Sequence, residues 1–80
     1  MKTVILYSKV ACQPCKATKR QLDKLGVEYQ EINLDANPEK IEYMKAKGYR
    51  QAPFVEVYIN DRLHREWSGF SPDQLAQLNK

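Results

Sequence analysis

The residues at 3–7, Thr3-Val4-Ile5-Leu6-Tyr7, form a continuous apolar and β-branched run. That is the pattern of a strand covered on both faces in the middle of a sheet. From residue 13 the period changes. Thr18, Leu22 and Leu25 share one face, Lys16, Lys19, Arg20 and Lys24 take the solvent side, and Gly26 follows as a cap, which predicts a helix over 13–25. A more polar stretch over 28–34, with Ile32 and Leu34 turned inward, predicts a second strand at a sheet edge. Asn37-Pro38-Glu39 has the N-cap, first-position proline and first-turn acid of a second helix, with Ile41 and Met44 as its buried stripe and Gly48 at its end. Residues 49–53 read as an irregular loop. Residues 54–59 and 63–67 alternate on either side of Asn60-Asp61, two residues that tolerate the left-handed region a tight hairpin needs. Ser71-Pro72-Asp73-Gln74 reads as a capping box, and Leu75 and Leu78 dock the last short helix.

The order β-α-β-α-β-β-α predicts an α/β domain. A strand, a right-handed helical crossover and a parallel strand, followed by a hairpin, give a four-stranded mixed sheet with three flanking helices. Its 80 residues make one domain over 1–80, whose thin core buries only about 60% of the unfolded chain's surface. Hydrophobic residues at 42% and charged residues at 29% are ordinary for a globular protein, and a net charge of +3 is too mild to argue for nucleic acid. No apolar run approaches membrane-spanning length, and residues 1–7 do not make a signal peptide. The expected setting is cytoplasmic, and nothing in the sequence demands more than a monomer.

Both cysteines fall in Cys12-Gln13-Pro14-Cys15, between the first strand and the first helix. In a cytoplasmic chain such a pair is more often catalytic than structural. Thiols three positions apart at a helix start can close and reopen a disulfide without moving the rest of the chain. Cys12 at or beside the N-cap faces unsatisfied N–H groups and the positive end of the helix dipole, which favour its thiolate. Lys9 and Lys16 flank it and act in the same direction. Cys12 is therefore the expected nucleophile and Cys15, one turn inward, the resolving thiol. Pro14 stiffens the first turn without removing an intrahelical bond. A zinc site needs about four ligands, and the chain offers one His beyond the two Cys, so no metal or other cofactor is expected. A static disulfide closing so small a loop would add little stability, which leaves redox chemistry as the favoured reading.

Cys12-Gln13-Pro14-Cys15 after a short strand, Ala52-Pro53 before the third strand, and Trp67-Ser68-Gly69-Phe70-Ser71-Pro72-Asp73 before the last helix together resemble a glutaredoxin-like protein of the thioredoxin fold. More narrowly they resemble the NrdH-redoxins, although that family commonly has Gln just before the second Cys and here Pro14 stands there. The resemblance implies a dithiol–disulfide oxidoreductase reduced by thioredoxin reductase and serving a ribonucleotide reductase of class Ib type. It implies that Pro53 is cis against the Cys pair, with Ala52 leaving backbone groups for a bound substrate segment. It also makes Lys9, Gln13, Pro14, Ala52, Pro53, Trp67, Ser68, Gly69 and Phe70 candidates for partner or substrate binding beside the catalytic Cys12 and Cys15. For Trp67, core packing competes evenly with partner binding. Glutathione-dependent glutaredoxins carry an acidic pair where this chain has Ser71-Pro72, so glutathione is expected to bind weakly at best. Two alternatives stay open: a glutathione-dependent glutaredoxin, and a metal or iron–sulfur carrier using the Cys pair across a dimer.

Overall fold

A computed structural model of the chain describes residues 1–79. Strand β1 (Lys2–Ser8) is followed by helix α1 (Gln13–Leu25), β2 (Gln30–Asn33), α2 (Pro38–Ala46), β3 (Phe54–Ile59), β4 (Arg62–Ser68), α3 (Pro72–Ala76) and a 3-10 turn, Gln77–Asn79. The sheet order is β2-β1-β3-β4, with β1 parallel to β2 and antiparallel to β3. β4 pairs antiparallel with β3. This is the four-stranded mixed α/β sheet the sequence predicts, with the first strand in its interior and the second at an edge.

Alternation along the interior strands splits the core into two layers. Val4, Leu6, Val55 and Val57 pack with Leu22 of α1, Trp67, Leu75 of α3 and Leu78 on one face. Tyr7, Phe54 and Leu34 pack with Met44 of α2 on the other. Gly26 ends α1 at φ 71, a left-handed conformation that glycine adopts without penalty. Asn60 and Asp61 both have positive φ, the requirement for a two-residue hairpin turn that matches the twist of its strands.

Four details depart from the sequence reading. β2 spans only four residues, because Glu28, Tyr29 and Leu34 lie outside the ladder. β3 does not alternate: Phe54, Val55, Glu56 and Val57 are all buried, since an interior strand is covered by helices on both faces. Asn37 stands at the N-cap of α2 without capping it, and its side-chain amide instead donates to the Asn33 carbonyl at 2.9 Å. Ser71 Oγ accepts from the Gln74 N–H at 3.4 Å, but the Gln74 side chain accepts from Arg65, so only half of the capping box forms.

Candidate functional site

The end of β1 is fixed before the cysteines begin. The buried Ser8 hydroxyl donates to Glu31 on β2 at 2.6 Å, and Lys19 of α1 reaches the same carboxylate at 3.0 Å. The Ser8 and Lys19 hydrogen bonds hold the Glu31 carboxyl below the usual range, against the opposing cost of burial. The following loop is pinned by the Val10 N–H, which donates to Asp35 Oδ2 at 2.9 Å. Ala11 has φ 57, a left-handed conformation that is strained for a residue with a Cβ. The chain thus turns sharply and delivers Cys12 to the N-cap of α1.

Cys12 is the N-cap in the strict sense. Its Sγ accepts from the Cys15 N–H at 3.2 Å, and Cys12 and Cys15 form a disulfide with Cα atoms 5.2 Å apart. Gln13 and Pro14 lie exposed in the first turn, with Pro14 at a position where its missing N–H has no intrahelical partner. Thr18, fully buried, donates to the Pro14 carbonyl at 2.8 Å and fixes that turn from below. The two sulfurs differ in access: Cys15 is 1% exposed while Cys12 is half-buried. The more accessible sulfur, which accepts a backbone N–H at a helix start, is suited to be the attacking thiolate, and the buried one to resolve. Cys12 is expected to ionise more readily than an ordinary thiol, and titrating thiolate absorbance in Cys15→Ser checks this. Ionisation no easier than that of a free thiol would remove the proposed activation.

The other wall is the loop before β3. The Ala52-Pro53 bond is cis, Pro53 is buried, and the Ala52 carbonyl oxygen lies 3.8 Å from Cys12 Sγ. Gly69, at φ 82, donates its N–H to the Pro53 carbonyl at 2.8 Å, so the loop after β4 rests directly on this proline. Phe70 beside it is 44% exposed, and Val10, two positions before Cys12, is 72% exposed. Ser68 is half-buried at the end of β4, and Lys9 is exposed in the loop after β1. Trp67 is different. At 6% exposure it packs among Leu22, Leu75 and Leu78, so of its two readings the core one describes its position.

Glu56 escaped the sequence reading. It is fully buried on β3 and accepts the Tyr7 hydroxyl at 2.7 Å, the Tyr43 hydroxyl, and the Lys47 ammonium at 2.9 Å. Lys47 also bonds Glu66 at 2.9 Å. The network anchors the α2 end of the molecule to β3, two residues beyond the pair formed by Tyr7 and Phe54. Its signal in the sequence is a lone acid inside Phe54-Val55-Glu56-Val57-Tyr58.

The glutaredoxin family profile matches residues 4–64. The chain belongs to the glutaredoxin family. Within it, the chain is similar to the glutaredoxin-like protein NrdH of Escherichia coli K12, with 38% identity over 95% of this chain and 88% of that one. The corresponding protein of Lactococcus lactis subsp. cremoris is 39% identical over 94% of this chain and 97% of its own. The solved structure of the Escherichia coli NrdH-redoxin, described as glutaredoxin-like with a thioredoxin-like activity profile, superposes with a TM-score of 0.85 at 36% identity, covering 98% and 96% of the two chains. Oxidised mitochondrial thioredoxin 3 of Saccharomyces cerevisiae shares the fold, with a TM-score of 0.75 at 22% identity over 95% of this chain and 74% of that one. This member of the family is therefore a thioredoxin-fold, NrdH-like redoxin with a redox-active cysteine pair. Among the described residues, no helix is long and apolar enough to cross a membrane. A cavity of about 400 Å³ lies at the far end of the sheet beside Lys2, Val4 and Leu78, away from the cysteines.

Proposed function

We propose that the chain carries electron pairs from thioredoxin reductase to a protein disulfide, with ribonucleotide reductase as its client. The observation that carries this reading is the pairing of an accessible Cys12 with a buried Cys15 at the start of α1, beside the Ala52 carbonyl. In the forward step the Cys12 thiolate attacks one sulfur of the client disulfide, forming a mixed disulfide and releasing the other client sulfur as thiolate. Cys15, as thiolate, then attacks Cys12 Sγ. The Cys12–Cys15 disulfide forms, the second client thiolate leaves, and two electrons have passed to the client. Two protons from solvent complete the client dithiol, and the reductase returns two electrons to the pair.

Preference for a protein reductant over glutathione rests on the loop after β4. Ser71 is used as the cap of α3 and Pro72 opens that helix, so neither offers a carboxylate to the amine of glutathione. Val10, two positions before Cys12, and Phe70, next to the Gly69 that bonds Pro53, offer exposed apolar surface, which suits a protein surface better than a charged tripeptide. Phe70→Ala is expected to lower kcat/KM with thioredoxin reductase about tenfold, the scale of a central aromatic contact, without loss of fold. Installing acids through Ser71→Asp and Pro72→Asp is expected to improve reduction by glutathione. The deciding assay compares NADPH with thioredoxin reductase against NADPH with glutathione and glutathione reductase on one disulfide substrate. Equal rates would make this an ordinary glutathione-dependent glutaredoxin.

A further inference from the structure

Residues 48–53 join Lys47, the C-cap of α2, to Phe54, the first residue of β3. They carry the Ala52 carbonyl oxygen that lies 3.8 Å from Cys12 Sγ. Near its start the loop is held by the Tyr49 N–H, which donates to the Met44 carbonyl at 3.0 Å, and at its end by the Pro53 carbonyl, which accepts from Gly69 at 2.8 Å. In between, Arg50, Gln51 and Ala52 make no backbone–backbone hydrogen bond among the described residues. Where the Ala52 carbonyl sits therefore depends on how firmly the two ends of the loop are held together.

Lys47 joins those ends. Its ammonium lies 2.9 Å from Glu56 on β3 and 2.9 Å from Glu66 on β4, and 5.9 Å from the centre of the Phe54 ring. Tyr49 stacks on the same ring, with centroids 4.9 Å apart. The residue at which the loop begins and the residue at which it ends are thus in contact through one side chain. A bland account is that Lys47 only neutralises a buried acid. That account covers Glu56 and stops there. Glu66 is the direct cross-strand partner of Glu56, and two carboxylates facing each other across a ladder repel. Their repulsion favours a cation between them, and the cation comes from the start of the loop rather than from a neighbouring strand.

We propose that Lys47, bridging Glu56 and Glu66, is a positioning residue for disulfide reduction, setting where the loop presents its backbone to a client segment beside Cys12. The proposal rests on the dithiol-transfer reading above and adds a residue that reading does not use. Cys12 makes and breaks the bonds to client sulfur, while Lys47 acts only through the loop. Without the bridge the loop spreads over several positions, and an extended client that pairs with the Ala52 backbone must reorder it before attack. A misplacement of about 1 Å costs up to about a hundredfold in rate, and about tenfold is expected here because the Tyr49 and Gly69 bonds remain. A disulfide too small to pair with the loop is spared that cost.

The test compares two oxidants of the prereduced chain, an extended cystine peptide and bis(2-hydroxyethyl) disulfide, in single turnover. Each reaction oxidises Cys12 and Cys15 to the disulfide and reduces the reagent to two thiols, so the electron balance is the same. The quantity read is the ratio of the peptide rate constant to that of the small disulfide. Loss of folded protein or altered Cys12 ionisation lowers both rates alike, so a role confined to stability leaves the ratio unchanged. Lys47→Met is expected to lower the ratio about tenfold. Lys47→Arg, whose guanidinium meets two carboxylates at once, should restore it. Glu66→Gln keeps the buried Lys47–Glu56 pair and with it the fold, and should lower the ratio about threefold, so the test holds even if Lys47→Met does not fold. A wild-type ratio in Glu66→Gln would overturn the proposal, as would one in folded Lys47→Met. Failure of the wild-type chain to reduce either reagent would overturn the dithiol reading itself, a result seen before any variant is compared.

Discussion

Cys12→Ser is expected to abolish dithiol reduction, while Cys15→Ser accumulates a mixed disulfide with the client. The serine hydroxyl is not ionised near neutral pH, so no thiolate remains where the client can reach it. The loss should be on the order of a thousandfold or more, as when a catalytic nucleophile is removed. Cys15, at 1% exposure, cannot take over the attack without opening the first turn of α1. In Cys15→Ser the first step survives and the second does not, so client stays covalently attached to Cys12. Mass spectrometry of non-reduced mixtures distinguishes the two variants. Full activity in Cys12→Ser would reverse the assignment of attacking and resolving thiols.

Glu56→Leu is expected to be the most destabilising single substitution away from the cysteines. Glu56 accepts hydrogen bonds from Tyr7, Tyr43 and Lys47 with no exposure to solvent. Leucine fits a buried position but leaves the Tyr7 and Tyr43 hydroxyls without their acceptor and Lys47 with Glu66 alone. Removing one member of a buried ion pair costs about 3–5 kcal/mol. A domain of this size has about 5 kcal/mol or somewhat more to lose, so Tm should fall by roughly 15–30 °C. Glu56→Gln keeps an acceptor and should cost less.

The same network makes stability depend on pH in a defined direction. Burial disfavours the Glu56 carboxylate, but hydrogen bonds from Tyr43, Tyr7 and Lys47 outweigh it and bring its pKa below the ordinary 4.5. A depressed carboxylate pKa stabilises the fold above the unfolded value, and that contribution is lost as pH falls through the folded one. For Lys47 burial also opposes the charge, and hydrogen bonds to Tyr43, Glu66 and Glu56 outweigh it, raising its pKa above the ordinary 10.5. Its contribution is present below 10.5 and is lost as pH rises through the raised value. Urea unfolding across pH should show a plateau between these limits with an acid-side loss that Glu56→Leu reduces, the part due to Glu31 remaining. A wild-type profile unchanged by the substitution would exclude Glu56 as its source.

How the site became legible follows from the range over which each interaction acts. The redox pair was readable because its logic is local: three positions of spacing, a strand before it and a helix after it place both sulfurs in one turn. Helix α1 agreed from Gln13 to Leu25 for the same reason, since its period, its proline and Gly26 lie within its own span. The hairpin at Asn60-Asp61 was set by two residues that tolerate positive φ.

Other features needed distant partners. A glutamate in the middle of β3 reads as a solvent-facing position in an alternating strand. It becomes buried only because α2 brings Tyr43 and Lys47 over it. Trp67 could face a partner or the core on sequence alone, and α3 folding across it with Leu75 decided for the core. Lys47, Glu56 and Glu66 are spread over 19 sequence positions and meet only after the end of α2 folds over β3 and β4. Local patterns of capping, period and turn chemistry thus determined the elements and the reacting thiols. Which charges are buried and which of them pair was decided by tertiary packing, because desolvation and Coulomb energy depend on neighbours the chain order does not place side by side.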